Sequence, residues 1–136
     1  MSTRLRNKEE KIQQIINKLI EESASGTPVI VEGKKDEHAL RELGVNGKIL
    51  TVKTSGKSFL EIAAEIETLS IAQVILLLDF DRRGREGTRR LKDHLEHARI
   101  KVDLRFWNDL HSFVGKEMCC VESLTSYLDT LQKKLL

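Results

Sequence analysis

The chain has 136 residues, 40% hydrophobic and 32% charged, enough for one domain spanning residues 1–136 and too few for two. With 23 Lys and Arg against 21 Asp and Glu the net charge is only +2, so any affinity for nucleic acid must come from how the cations are distributed, not from bulk charge. No apolar run approaches the ~18 residues that cross a bilayer, the N-terminus lacks the apolar core of a secretory signal, and the adjacent Cys119 and Cys120 read as free thiols of a reducing compartment, so a cytoplasmic protein with no membrane partner is expected.

From Thr3 to Ser23, Leu5, Ile12, Ile15, Ile16, Leu19 and Ile20 recur at spacings of three, four and seven, the apolar face of an amphipathic helix. Arg4, Arg6, Lys8, Lys11 and Lys18 lie largely off that face, as a solvated surface does. Ser23-Ala-Ser-Gly26-Thr-Pro28 breaks the helix. Val29-Ile-Val31 reads as a short strand ended by Glu32-Gly33-Lys34-Lys35. A helix follows, with Ala39, Leu40 and Leu43 apolar and Gly44 as its stop. Ile49-Leu-Thr-Val52 is the next strand and Lys53 to Ser58 a turn. Ser58 and Glu61 make a capping box for a helix carrying Phe59, Ile62, Ala63, Ile66 and Leu69.

Val74-Ile-Leu-Leu-Leu78 is an uncharged run of the kind buried on both faces of a parallel sheet. It ends in Asp79-Phe-Asp81-Arg82-Arg-Gly84-Arg85, and a helix is expected from about Gly84 to Ala98 with Thr88, Leu91, Leu95 and Ala98 inward. Val102, Leu104 and Phe106 alternate with Lys101, Asp103 and Arg105, which predicts an edge strand with the charged residues in water. The remainder is helical. Its stripe of Val121, Leu124, Leu128, Leu131 and Leu135 docks on the sheet or on a second copy of the chain, the latter giving a homodimer through the terminal helices. One helix followed by four strand-helix units predicts an α/β fold with a compact four-stranded, mainly parallel sheet, helices on both faces and flanking terminal helices over 3–23 and 108–136.

In such a sheet ligands collect at the strand C-termini, where helix N-termini also point. Asp79 and Asp81, spaced by one residue, project to one side of an extended backbone and can face one hard cation, for which Mg²⁺ is the natural candidate and Mn²⁺ the alternative. Otherwise Asp81 serves only as a helix cap. Glu32 would join them as a third ligand, as a general acid or base, or as a cap. Gly33 is expected to turn the backbone with positive φ, and Lys34 to bring positive charge to the rim. Ser55-Gly56-Lys57-Ser58 is not a nucleotide P-loop, because the glycine required five residues before Gly56 is Thr51, but it suits a weaker backbone anion site. Arg82, Arg83, Arg85, Arg89 and Arg90 form the densest basic cluster, and guanidinium groups fit phosphodiester oxygens. The four histidines show no ligand pattern.

The run Val29-Ile-Val-Glu32-Gly33-Lys, the small loop Thr54-Ser-Gly56 and Asp79-Phe-Asp81-Arg82-Arg-Gly84-Arg resemble, in order and spacing, the motifs of the Toprim domain. That module is shared by bacterial-type primases, topoisomerases and several nucleases. The resemblance covers about residues 27–106 and is closest to the primase form of the Asp-x-Asp motif. The tail from Trp107 to Glu117 is similar to the small stand-alone Toprim proteins of archaea. The family implies Mg²⁺ held by Asp79 and Asp81, with Glu32 as acid-base residue in phosphoryl transfer on RNA or DNA. Gly33, Lys34, Ser55, Gly56, Lys57, Arg82, Gly84 and Arg85 would then contact phosphate. Arg83 stands where type IA topoisomerases carry a further acid, and the one tyrosine, Tyr127, lies in the terminal helix, which argues against strand passage. A nuclease or other phosphoryl-transfer activity is the first expectation. A non-catalytic nucleic-acid- or protein-binding module is the alternative, and a small-molecule phosphohydrolase of the haloacid dehalogenase type stands third.

Overall fold

The runs at 29–31 and 74–78 are fully buried along their length, and residues apolar in both directions of the pleat must have a layer on each side. They occupy the middle of the sheet. In the computed structural model, which describes residues 3–53 and 56–135, β1 (Val29–Val31), β2 (Ile49–Thr51), β3 (Gln73–Leu76) and β4 (Lys101–Asp103) lie in the order β2-β1-β3-β4. Every neighbouring pair is parallel, where a mainly parallel sheet was expected. Beyond the strands the ladder continues through the Leu77 N–H to the Ile30 carbonyl at 2.8 Å and the Lys53 N–H to the Glu32 carbonyl at 2.8 Å. Both residues that follow β1 and β3 are thereby held at the sheet's end.

The helices are α1 (Thr3–Ala24), α2 (Lys34–Leu43), α3 (Phe59–Thr68), α4 (Arg82–His97), α5 (Arg105–Val114) and α6 (Leu124–Leu135), with a 3-10 turn over Val121–Ser123. Alternate residues of the inner strands sort the molecule into two cores. Val29, Val31, Ile75 and Leu77 pack with α1, α2, α5 and α6, while Ile30, Val74, Leu76 and Leu78 pack with α3 and α4. The chain leaves β1 through α2 toward one edge and leaves β3 through α4 toward the other. Their C-terminal loops therefore part, and a crevice opens between them, as at any point where strand order reverses.

Local signals read from sequence are realised at several places. Gly44 ends α2 in the left-handed region at φ 109°, which glycine reaches without steric cost. Ser58 Oγ accepts from the Glu61 N–H at 3.2 Å, and Glu61 Oε1 from the Ser58 N–H at 3.4 Å.

The end of the sheet differs from the expected alternation. Asp103 is buried, not solvated, and Phe106 lies on a helix. Asp103 Oδ1 accepts from the Arg105 N–H at 2.9 Å, and the Arg105 guanidinium folds back on the same carboxylate at 2.7–3.2 Å. This side-chain turn closes the strand after three residues and starts α5. Burial alone would push the Asp103 carboxyl up, but the bonds from Arg105 prevail and hold it below its ordinary range.

The stripe of Val121, Leu124, Leu128 and Leu131 is buried with Ile12, Ile15, Ile16 and Leu19, and α6 packs on α1 and α2 of the same chain. These four apolar side chains are covered in cis, in the core that α1, α2 and α5 share with one face of the sheet. The Leu135 side chain lies outside the described residues. Among the described residues no helix is long and apolar enough to cross a membrane.

One contact fastens α5 to the back of the crevice. Trp107 Nε1–H donates to the carbonyl of Leu78 at 2.9 Å, and its ring stacks on His111 at 5.0 Å and tilts against Phe80 at 5.6 Å. Trp107→Phe leaves that buried carbonyl unpaired. A loss of about 1–3 kcal/mol is expected in urea unfolding, with an unchanged denaturant slope.

Candidate functional site

Glu32 follows β1 directly, and Asp79 lies at the extended end of the β3 run, so the crevice between the inner strands brings them together. The Asp79 N–H donates to the Glu32 carboxylate. Asp79 Oδ1 is buried and has no hydrogen-bond partner among the described residues. The Asp79 carboxyl is pushed up to about 7, first by burial, then by the negative charges of Glu32 and Asp36, with Asp81 adding and Lys53 opposing. Glu32 is raised too, by burial above all, against the pull of Lys53 and of the Asp79 N–H. Lys53 offsets the charge of these desolvated carboxylates only in part, since both stay raised, and a divalent cation would supply the rest. An orphaned buried oxygen within an all-oxygen acidic set is what such an ion needs.

Asp81 caps α4, its Oδ1 accepting from the Gly84 N–H at 2.7 Å. Capping and facing the crevice turn out to be compatible, since Asp81 also lines the cleft. That cleft, of about 400 Å³, has Glu32, Asp79 and Asp81 on its acidic side and Lys53, Lys57, Arg83 and Arg90 among its cations, with Val52, Phe59 and Ile62 as its apolar lining.

Of the other expected phosphate contacts, Gly56 and Lys57 line the cleft, and Lys57 Nζ also pairs with Glu65 at 2.7 Å. Ser55, with Thr54, lies outside the described residues. Lys34 lines a different groove, with Lys35, His38 and Glu122. Arg82 and Arg85 are on the outer face of α4 beside Arg89, and Arg82 is 3.4 Å from Glu86.

Gly33 does not make the positive-φ turn read from sequence. It is extended, at φ −150° and ψ −177°, a conformation open to any residue, and a Cβ there would meet nothing within 4 Å. Gly84 is buried against the loop it follows, and a Cβ would run into the Asp79 carbonyl oxygen. Its absence of a side chain serves packing.

Of the five arginines read from sequence as one cluster, Arg83 and Arg90 are two helical turns apart on the face that Gly87 shares, a spacing that a helical projection separates from Arg82, Arg85 and Arg89. Sequence reasoning missed three residues: Lys53, Asp36 and Cys120. Lys53 ends the β2 run, and its charge acts on Glu32 and Asp79. Asp36, in the first turn of α2, is buried and accepts from the Gly33 N–H at 3.1 Å and the Glu122 N–H at 2.9 Å. Burial raises its pKa against those two bonds. Cys120 comes from a segment far along the chain with no local signal of any kind. Asp36, Asp79 and Cys120 each offer an atom to a common point, within 4.8 Å of one another.

Comparison with known proteins places this geometry in a family. Residues 27–105 match the model of the Toprim domain, nearly the boundaries read from sequence. A UPF0292 protein of Methanocaldococcus jannaschii is 34% identical over 120 residues, which cover 88% of this chain and 91% of that one. A UPF0292 protein of Methanosarcina acetivorans is 34% identical over 130 residues, covering 95% and 88%. Among solved structures, a putative protein from Aquifex aeolicus superposes with a TM-score of 0.68 at 26% identity, over 81% of this chain and 94% of its own. The domain match spans both inner strands and the acids that follow them, the relatives align nearly end to end, and the chain accordingly belongs to the Toprim domain family.

Proposed function

We propose that the protein is a stand-alone Toprim enzyme that cleaves or transfers nucleic-acid phosphodiesters with Mg²⁺ or Mn²⁺. The observation that carries this reading is the buried, unpartnered Asp79 oxygen among three further carboxylates, at the mouth of a cleft that also carries lysines and arginines. Asp79 and Asp81 would hold the ion, and what it supplies when bound is Lewis-acid stabilisation of charge on a phosphoryl oxygen.

The chain's own groups do the rest. Arg83 and Arg90 present planar donors to phosphate oxygens and align the strand across the cleft. Lys53 keeps part of the acidic field in check. Glu32, with its carboxyl raised above the ordinary range, is suited to hold and release a proton. The Gly84 N–H fixes Asp81 so that one of its oxygens is committed to the helix and the side chain does not swing.

The test is cleavage of end-labelled RNA and single-stranded DNA with Mg²⁺ or Mn²⁺, beside the Asp79→Asn/Asp81→Asn double variant. Activity that survives the double change would refute the site. Within the same assay, Arg83→Gln with Arg90→Gln should weaken binding and lower the slope of log affinity against log salt by about one to two. Arg82→Gln with Arg85→Gln removes equal charge from outside the cleft and should leave the rate at saturating substrate unchanged. Equal effects of the two pairs would show that the cleft does not orient the substrate.

A second reading, a module that binds without turnover, draws on the exposed row of Arg82, Arg85 and Arg89, which with Glu86 lines a groove outside the cleft that holds Glu32, Asp79 and Asp81. Salt-dependent binding with no cleavage under either metal would favour it.

A further inference from the structure

Asp79 belongs to the wall of the cleft, but Asp36 and Cys120 do not line it. Neither has a part in the reaction proposed above. They come from separate parts of the chain, the first turn of α2 and the segment just before the 3-10 turn at Val121–Ser123. Their ligand atoms and that of Asp79 nevertheless lie within 4.8 Å of one another.

The three groups are held there by the fold. Asp36 is 5% exposed and is bonded through both oxygens to the N–H groups of Gly33 and Glu122. The Glu122 bond ties the carboxylate to the very segment that carries Cys120. The same segment is pinned to the Asp79 loop by the Phe80 N–H, which donates to the Cys119 carbonyl at 2.6 Å. Cys120 Sγ is half-buried, 3.6 Å from Ser123 Oγ and 3.5 Å from Cys119 Sγ. The buried Oδ1 of Asp79 has no hydrogen-bond partner among the described residues. A sulfur set against two carboxylates is a donor set that Mg²⁺ does not favour, since a hard ion prefers oxygen alone and a thiolate selects softer metals.

We propose that Asp36, Asp79 and Cys120 form a site for a thiophilic divalent cation of the Zn²⁺ or Co²⁺ class, apart from the all-oxygen position on the cleft side. On binding, the Cys120 S–H bond breaks, its proton goes to water, and the thiolate electron pair forms the sulfur-metal bond, with no change of oxidation state. Three protein ligands leave a fourth position for water. Such an ion clamps the segment around Cys120 to α2 and to the end of β3. Because it draws on Asp79, it also competes with Mg²⁺ for the carboxylate that the proposed function needs, and the inference rests on that reading only through this shared residue.

The experiment is titration of the full chain with Co²⁺ in the presence of a phosphine reductant, read by absorption. A thiolate-to-Co²⁺ charge-transfer band in the near ultraviolet is expected, and Zn²⁺ should bleach it by displacement. The band should persist in Cys119→Ser and vanish in Cys120→Ser, whose Co²⁺ affinity should fall at least about tenfold. Circular dichroism of Cys120→Ser confirms that the fold is kept. Co²⁺ bound without the band, a band that follows Cys119, or no Co²⁺ binding would overturn the site. Mg²⁺-dependent cleavage alongside a missing band sinks this inference and leaves the proposed function standing. A Cys120-dependent band in a protein that cleaves nothing does the reverse.

Discussion

Asp79→Asn is expected to lower metal-dependent cleavage by about 10²–10³-fold or more and, at the same time, to make the metal-free protein more stable at neutral pH. The two effects have one origin. In the fold the Asp79 carboxyl is raised from 3.8 to about 7, chiefly by burial and then by Glu32 and Asp36. A group whose folded pKa lies above its unfolded value contributes its full stability below the unfolded value, and that contribution is lost as pH rises toward the folded one. Here the loss runs from about pH 4 to about pH 7 and levels off above it. The difference between the two values corresponds to about 4 kcal/mol at most. Partial solvation of the site reduces the expected gain of the Asn variant at pH 8 to about 1–3 kcal/mol.

Glu32 and Asp36 are raised as well and act with the same sign. Asp103, held below its ordinary range by Arg105, acts oppositely, its contribution being lost only as pH falls through its lowered value. Urea melts between pH 5 and pH 8 therefore read the acidic cluster with Asp103 ionised throughout. Saturating Mg²⁺ should restore wild-type stability at pH 8 and leave Asp79→Asn almost unmoved. Equal midpoints for the two metal-free proteins at pH 8 would mean that the carboxylate is not strained by its surroundings.

Gly84→Ala is expected to destabilise by about 3 kcal/mol or more, at the upper end of what overpacking costs. The added carbon would run into the Asp79 carbonyl oxygen and lie 2.8 Å from Asp79 Cβ, and backbone cannot be moved aside as a flexible side chain can. Relief requires the first turn of α4 to retreat from the β3 loop. That retreat carries Asp81 with it, because the Gly84 N–H is its hydrogen-bond donor. Stability and cation affinity should fall together, read by urea unfolding and by Mn²⁺ titration. Gly33→Ala is the contrast. Its backbone is extended and its surroundings are open, so stability should stay within about 0.5 kcal/mol. A Gly33→Ala variant as damaged as Gly84→Ala would refute the packing account of both positions.

Much of this protein was legible along the chain. The uncharged run before Asp79, the capping box at Ser58 and Glu61 and the stop at Gly44 are local signals, decided by a strand's pleat or a helix's first and last turns. They suffice for a parallel α/β sheet, for the Toprim resemblance and for the meeting of Glu32 with Asp79, since ends of neighbouring parallel strands share one rim.

What the tertiary structure alone decided concerns faces and distant neighbours. Five arginines in one stretch look equivalent in sequence. They are divided because α4 settles onto α3 and the sheet through Gly84, Gly87 and Leu91, with Gly87 close under Phe59, and this turns Arg83 and Arg90 to the cleft and Arg82 and Arg85 away. Asp103 passes for a solvated strand residue until Arg105 folds back on it. Asp36 and Cys120 reach Asp79 only because the segment after α5 is packed beside α2, a contact between parts of the chain that no periodicity connects. Propensity and pattern act over a few residues, whereas the company a side chain keeps is set by which helix face the core accepts.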